Sequence, residues 1–234
     1  MKYFSLIFLL FLSSIPQSHA TEAKKISFNS NGKNIDAYLC KPDINTTKSA
    51  VIYLHGSHRS GAIVETCKAI AAQGYFGLAP LRPNNMKKLE EMMRLTKDSV
   101  LYAESSLGIS KDNISLIGYS QGGALAYRYS VAVGGIKSGV ILGSGASPKG
   151  GRWGTKKVNV PLLIMVAKND TGSSTTYGRN FLKETKQLVK GLEENNKIHR
   201  YIVLPPYGAD GHKIFWEVGD YWNEISAFLK QYHQ

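Results

Sequence analysis

The chain has 234 residues, of which 43% are hydrophobic and 20% charged, a mixture that suits one α/β domain with a sizeable core and excludes a disordered chain. Its formal charge of +12 is carried by dispersed Lys and Arg. No basic run is interleaved with aromatics, so the charge favours solubility or loose attraction to an anionic envelope and argues against a nucleic-acid partner.

The first segment reads MKYFSLIFLLFLSSIPQSHA: one lysine, an apolar stretch from Tyr3 to Leu12, Pro16, then Ser18-His19-Ala20. This is the layout of a signal peptide over residues 1–20, cut after Ala20 or alternatively after Ala23. The apolar run falls short of the roughly 20 residues that span a bilayer, which favours cleavage over anchoring. The remaining 21–234 is expected as one domain, exported to the periplasm or beyond, without stable membrane insertion. Losing Lys2 with the leader lowers the charge to +11. An oxidising destination allows Cys40 and Cys67 to pair, the alternative being two buried thiols. Neither lies in a CxxC or Cys/His cluster, so no metal and no other cofactor is expected.

Two short runs, 26–31 and 34–40, flank Asn31-Gly32 and predict a hairpin. The continuous apolar run AVIYLHG (50–56) predicts a strand buried on both faces. A helix is expected over about 62–73, a strand over 75–80 and a long helix over about 86–107, closed by Gly108. ISLIG and a helix over 121–133 come next, then strands in SGVILGSG and PLLIMVAKND. A helix over 178–194, a strand in HRYIVLP and a helix over 217–230 complete the chain. This alternation predicts a mostly parallel sheet with helices on both faces. Ligands of such sheets bind where the strands end.

Gly118-Tyr119-Ser120-Gln121-Gly122 fits G-x-S-x-G, with an apolar strand before it, a helix after it and no spacer. A turn that sharp forces an uncommon backbone angle on its central residue and crowds its neighbours, which explains both glycines. A plain helix N-cap would explain the serine alone. Serine becomes a nucleophile when a base takes its proton. Six histidines are available. His19 leaves with the leader, His55 sits in a strand-end HG with a structural task, His58 belongs to the following loop, His199 opens a strand and His233 ends the chain. His212, in a glycine-rich loop after the last strand, remains. Of the aspartates after Ser120, Asp170 follows a strand directly, Asp210 is two residues from His212 in one tight loop, and Asp220 falls within the last helix. Asp170 best meets the need to hold the imidazole tautomer. The amides of Gln121 and of Ser57 are the expected oxyanion donors. Tyr119, His58, Arg59, Arg82 and Trp153 are candidates to line the substrate site.

The motifs YLHGS, GYSQGG, VAKND and GADGHKIF, in that order and spacing, resemble the α/β-hydrolase superfamily over nearly all of residues 26–230. The short form, with no room for a cap between Gly143 and Asn159, resembles the dienelactone-hydrolase-like branch. The resemblance implies the α/β-hydrolase fold with about eight strands, a nucleophile elbow and acyl transfer through an acyl-enzyme. Dienelactone hydrolases proper use cysteine where this chain has serine, so the resemblance implies a carboxylesterase acting on small-molecule esters. Similar chains form the catalytic domain of oligopeptidase-type peptidases, but those add a domain that screens peptides. The third reading is a non-catalytic envelope-binding protein on the same scaffold. It has no use for Ser120, Asp170 and His212 together. The oligomeric state is not legible.

Overall fold

The computed structural model describes residues 22–43, 47–145 and 152–233. The expected leader and its cut after Ala20 lie outside the described residues, as do positions 146–151 of the segment expected to lack a cap.

The hairpin forms as β1 (Ala23–Ser30) and β2 (Lys33–Cys40), with Asn31 and Gly32 both at positive φ in its turn. Then come β3 (Ala50–Leu54), α1 (Ile63–Ala72), β4 (Phe76–Pro80), α2 (Leu89–Leu107), β5 (Ile114–Tyr119) and α3 (Gln121–Ala132). The rest is β6 (Ser138–Leu142), β7 (Leu162–Ala167), α4 (Phe181–Glu194), β8 (His199–Leu204) and α5 (Trp222–Tyr232). Gly108 closes α2 in the left-handed conformation, as its position predicted. The last helix starts later than the expected 217. Gly211–Trp216 forms a 3-10 segment and α5 begins at Trp222, so Asp220 lies in the turn ahead of the helix.

The eight strands make one sheet in the order β1-β2-β4-β3-β5-β6-β7-β8. The pairs β1–β2 and β2–β4 are antiparallel; all others are parallel. Strand residues alternate between two cores. Ile52, Leu116 and Ile164 pack with Met92, Leu125 and Leu188 of α2, α3 and α4. Val51, Ile117 and Met165 pack with Ile70, Ile225 and Phe228 of α1 and α5. Apolar faces on both sides explain why the central strands read as unbroken apolar runs. Cys40, at the end of β2, is joined by a disulfide to Cys67 of α1, the first of the two alternatives for this pair.

The chain winds outward from β3 towards β4 on one side and from β5 towards β6, β7 and β8 on the other. The strand order therefore reverses between β3 and β5, which opens a crevice at their carboxyl ends. Ser57 follows β3 there and Ser120 follows β5.

Candidate active site

Ser120 is the single residue between β5 and α3, with φ 52° and ψ −115°. A non-glycine residue at positive φ is strained, and surrounding structure must hold it. The flanking glycines let that happen. A Cβ on Gly118 would sit 2.2 Å from Gly122 O, and one on Gly122 would sit 1.8 Å from Leu54 O. Strand, elbow and helix can approach this closely only without those side chains.

His212 Nε2 lies 3.0 Å from Ser120 Oγ, and His212 Nδ1 lies 2.8 Å from Asp170 Oδ2. The imidazole packs against the rings of Phe181 and Tyr119, each centroid 4.9 Å away. Gly143, at φ 52°, leaves it room: a Cβ there would stand 3.1 Å from His212 Nδ1. The backbone of His212 is held as well. Its N–H donates to Asp210 Oδ1 at 3.1 Å, and its carbonyl accepts from the Tyr119 hydroxyl at 3.1 Å. Trp216 Nε1 donates to that hydroxyl at 2.8 Å.

The two candidate aspartates differ in what they touch. Burial pushes the Asp170 carboxyl above its ordinary range, against the hydrogen bond and charge of His212. Its second oxygen is buried without a partner among the described residues. Asp210 is partly buried, which pushes upward, but the Thr175 hydroxyl at 2.6 Å and the other donors around it outweigh that and hold its carboxyl low. Asp210 caps the loop while Asp170 faces the imidazole. Asn169 ties the two loops together, accepting from Tyr207 N at 3.0 Å and donating to Gly208 O at 3.0 Å.

Gln121 is the first residue of α3 and Ser57 the first of a 3-10 turn, so neither amide has a partner within its own helix. His58 and Arg59 are exposed, both at positive φ, and with Ser57, Thr175, Tyr177 and Trp216 line a groove of about 510 Å³. A second hollow of about 280 Å³ reaches Ser120 and is walled by Leu89, Met92, Leu125, Tyr177 and Phe181.

Two sequence candidates line neither hollow. Tyr119 is only 1% exposed and points under the elbow, because side chains alternate along β5 and its turn falls on the α1/α5 face. Trp153 folds back over the outer part of α3. Its ring lies 4.7 Å from the Arg128 guanidinium, and its carbonyl accepts from the Tyr127 hydroxyl at 2.6 Å. Tyr177, which lines both hollows and is 76% exposed, went unread in the sequence. Among the described residues no group of three or more His, Cys, Asp or Glu could hold a metal ion. No helix among them is long and apolar enough to cross a membrane.

The dienelactone hydrolase family model matches residues 35–203. The chain belongs to this family. The match takes in Ser120 and Asp170 and stops short of His212. No curated protein sequence matches significantly. Among solved structures, one assigned to the dienelactone hydrolases, from Klebsiella pneumoniae, superposes with a TM-score of 0.69 at 19% identity, covering 92% of this chain and 100% of that one. An esterase of Pyrococcus furiosus gives 0.71 at 15% identity, covering 92% of each chain. A hyperthermophilic esterase of the archaeon Pyrobaculum calidifontis gives 0.70 at 14% identity, covering 91% of this chain and 85% of that one. At such identities the likeness is one of fold, and it is the α/β-hydrolase fold that the sequence motifs implied.

Proposed function

We propose that this member of the dienelactone hydrolase family is an exported serine carboxylesterase acting on small-molecule esters. Ser120 is the nucleophile, His212 the general base and acid, and Asp170 the carboxylate that fixes the imidazole tautomer and stabilises the imidazolium. The amides of Ser57 and Gln121 receive the oxyanion. Attack of Ser120 Oγ on the ester carbonyl, with its proton passing to His212 Nε2, forms the tetrahedral intermediate. Collapse expels the alcohol, which takes that proton, and leaves an acyl-enzyme. Water, activated by the same imidazole, then releases the acid.

The observation that carries the reading is the unbroken row from Asp170 through His212 to a strained Ser120, at 2.8 and 3.0 Å. Export rests on the signal-peptide layout of residues 1–20. A panel of p-nitrophenyl esters of graded chain length, run beside peptide amides on protein lacking residues 1–20, tests the activity. Ester turnover that titrates with a serine-directed phosphonate supports it. Faster cleavage of the amides would favour a peptidase, and no turnover of either would favour a binding protein. Fractionation of cells making the full chain tests export.

A further inference from the structure

Arg82 is only 6% exposed, two residues past the end of β4. It forms no salt bridge among the described residues. A buried guanidinium without a carboxylate is unfavourable unless its protons are otherwise satisfied. One nitrogen, Nη2, shares its two N–H groups among three oxygens: His55 O at 3.1 Å, Gly56 O at 2.7 Å and Gln121 Oε1 at 2.9 Å. Gly56 precedes one proposed oxyanion donor, Ser57, and Gln121 is the other.

The Gly56 carbonyl matters most. It is the other end of the peptide unit whose N–H is that of Ser57. In a trans peptide the C=O and N–H point in opposite directions, so gripping the oxygen from behind aims the N–H away from the grip. A charged donor on that oxygen also polarises the amide and strengthens what its N–H can donate. His55 completes the lock. Its Nε2 accepts from the Arg82 backbone N–H at 2.9 Å, so its proton sits on Nδ1, which donates to Gly56 O at 2.7 Å. Burial and the neighbouring guanidinium lower His55 to about 3, which keeps this arrangement at neutral pH. Burial lowers Arg82 to about 10, so it stays charged there.

We propose that Arg82 is a positioning residue for the oxyanion site, its guanidinium fixing the Gly56–Ser57 peptide and the Gln121 side chain so that both donor amides converge ready for the transition state. This inference rests on the esterase reading of Ser120.

The test uses the mature chain with Arg82→Met, Arg82→Lys and Ser120→Ala. The readouts are kcat and KM on a p-nitrophenyl ester, inhibition by an alkylboronic acid that forms a tetrahedral anion on serine, and the melting temperature. Removing one oxyanion donor lowers kcat by about 10²–10³-fold, and Arg82→Met should fall towards that, on the order of 30–100-fold, with KM within about threefold. The boronate should weaken in parallel. Arg82→Lys keeps the charge but loses the rigid planar fork that holds Nη2 against these oxygens, so it should lose roughly fivefold to tenfold. A destabilising but merely structural role would lower the melting temperature and leave kcat of the folded fraction, KM and boronate affinity alone, which overturns the proposal. A raised KM with unchanged kcat also overturns it, since Arg82 would then bind substrate. If Arg82→Met does not fold, Arg82→Lys decides, and wild-type kcat and boronate affinity in that variant overturn the proposal. Ester turnover surviving in Ser120→Ala would instead sink the esterase reading itself.

Discussion

Two serine–histidine pairs sit at opposite ends of the same strand. Ser120 follows β5 and lies 3.0 Å from His212 Nε2. Ser115, near the start of β5, lies 2.7 Å from His233 Nε2 and 2.7 Å from Ser138 Oγ. The residue types and distances are alike, and nearly everything around them differs. Ser115 is in a regular strand and fully buried, whereas Ser120 is forced to positive φ with its hydroxyl beside a hollow. The far nitrogen of His212 meets Asp170, while that of His233 is buried without a partner among the described residues. Burial, helped by the charge of Lys137, pushes His233 down to about 4. A serine–histidine hydrogen bond is therefore no nucleophile by itself. The strain that projects the oxygen, the carboxylate behind the imidazole and the amide donors make the difference.

The largest expected effect divides the two serines. Ser120→Ala should lower kcat on esters by on the order of 10⁶, as loss of a triad nucleophile does. Ser115→Ala should leave kcat within about twofold and lower stability by roughly 1–3 kcal/mol, the penalty for stranding buried partners. Steady-state kinetics and urea melts of both variants check this. A Ser120→Ala enzyme that keeps a tenth of its activity would break the comparison.

Next comes the carboxylate. Asp170→Asn should keep the geometry but reverse the tautomer, costing up to roughly 10⁴ in kcat. Asp210→Asn leaves the imidazole partner in place and weakens the loop cap, so its loss should be far smaller, about tenfold or less, on the scale of one net hydrogen bond. If the ranking is the reverse, the wrong aspartate has been placed behind His212.

How much of this was legible follows from what each residue must satisfy. Gly118 and Gly122 were readable because a missing Cβ leaves a trace in the sequence, and the structure puts numbers on the clash each would make. The structural reading of His55 also holds, since its ring bonds only to backbone. Tyr119 was misread because adjacency to Ser120 says nothing of which face a strand residue takes. Trp153 was misread because the path of a long connection is set by what it can pack on, here Tyr127 and Arg128. Arg82 was noticed only as a possible lining residue. A lone arginine just after the apolar strand FGLAP was the signal, and its carbonyl partners come from two segments that the sequence does not show to be neighbours.

The disulfide sharpens the division between the two ends. Cys40 pairs in register with Gly77, Gly77 with Val51, Val51 with Ser115, and Ser115 with Ser138. The bridge thus belongs to the edge that holds Ser115, away from the one that holds Ser120. Cys40 and Cys67 are 27 residues apart, so the bridge restricts the unfolded chain by about 3–4 kcal/mol. The double variant Cys40→Ala/Cys67→Ala should lose that much stability in urea melts while keeping kcat within about twofold. A large fall in kcat at temperatures where the variant is folded would mean the two edges are coupled.

The smallest effect is the acid response of the two buried histidines outside the Ser120–His212 pair. His233 is held neutral down to about pH 4 in the fold, and His55 to about pH 3. In the unfolded chain both take up a proton near pH 6.5. Below that value the unfolded state binds more protons, so stability is full above about pH 6.5 and falls as the pH drops towards 4. Asp170 has the opposite sign. Its carboxyl is raised in the fold, so protonation there favours the native state and offsets part of the loss. His233→Gln removes one of the two destabilising titrations and can still reach Ser115. Its urea midpoint should decline less steeply than wild type between pH 6.5 and 4, by about 1 kcal/mol over the window, below the full linkage slope of about 1.4 kcal/mol per pH unit because the ring is partly solvated. Its kcat at pH 8 should match wild type. Parallel stability curves would mean His233 is not held neutral, and the contrast with His212 would then rest on backbone strain and the carboxylate alone.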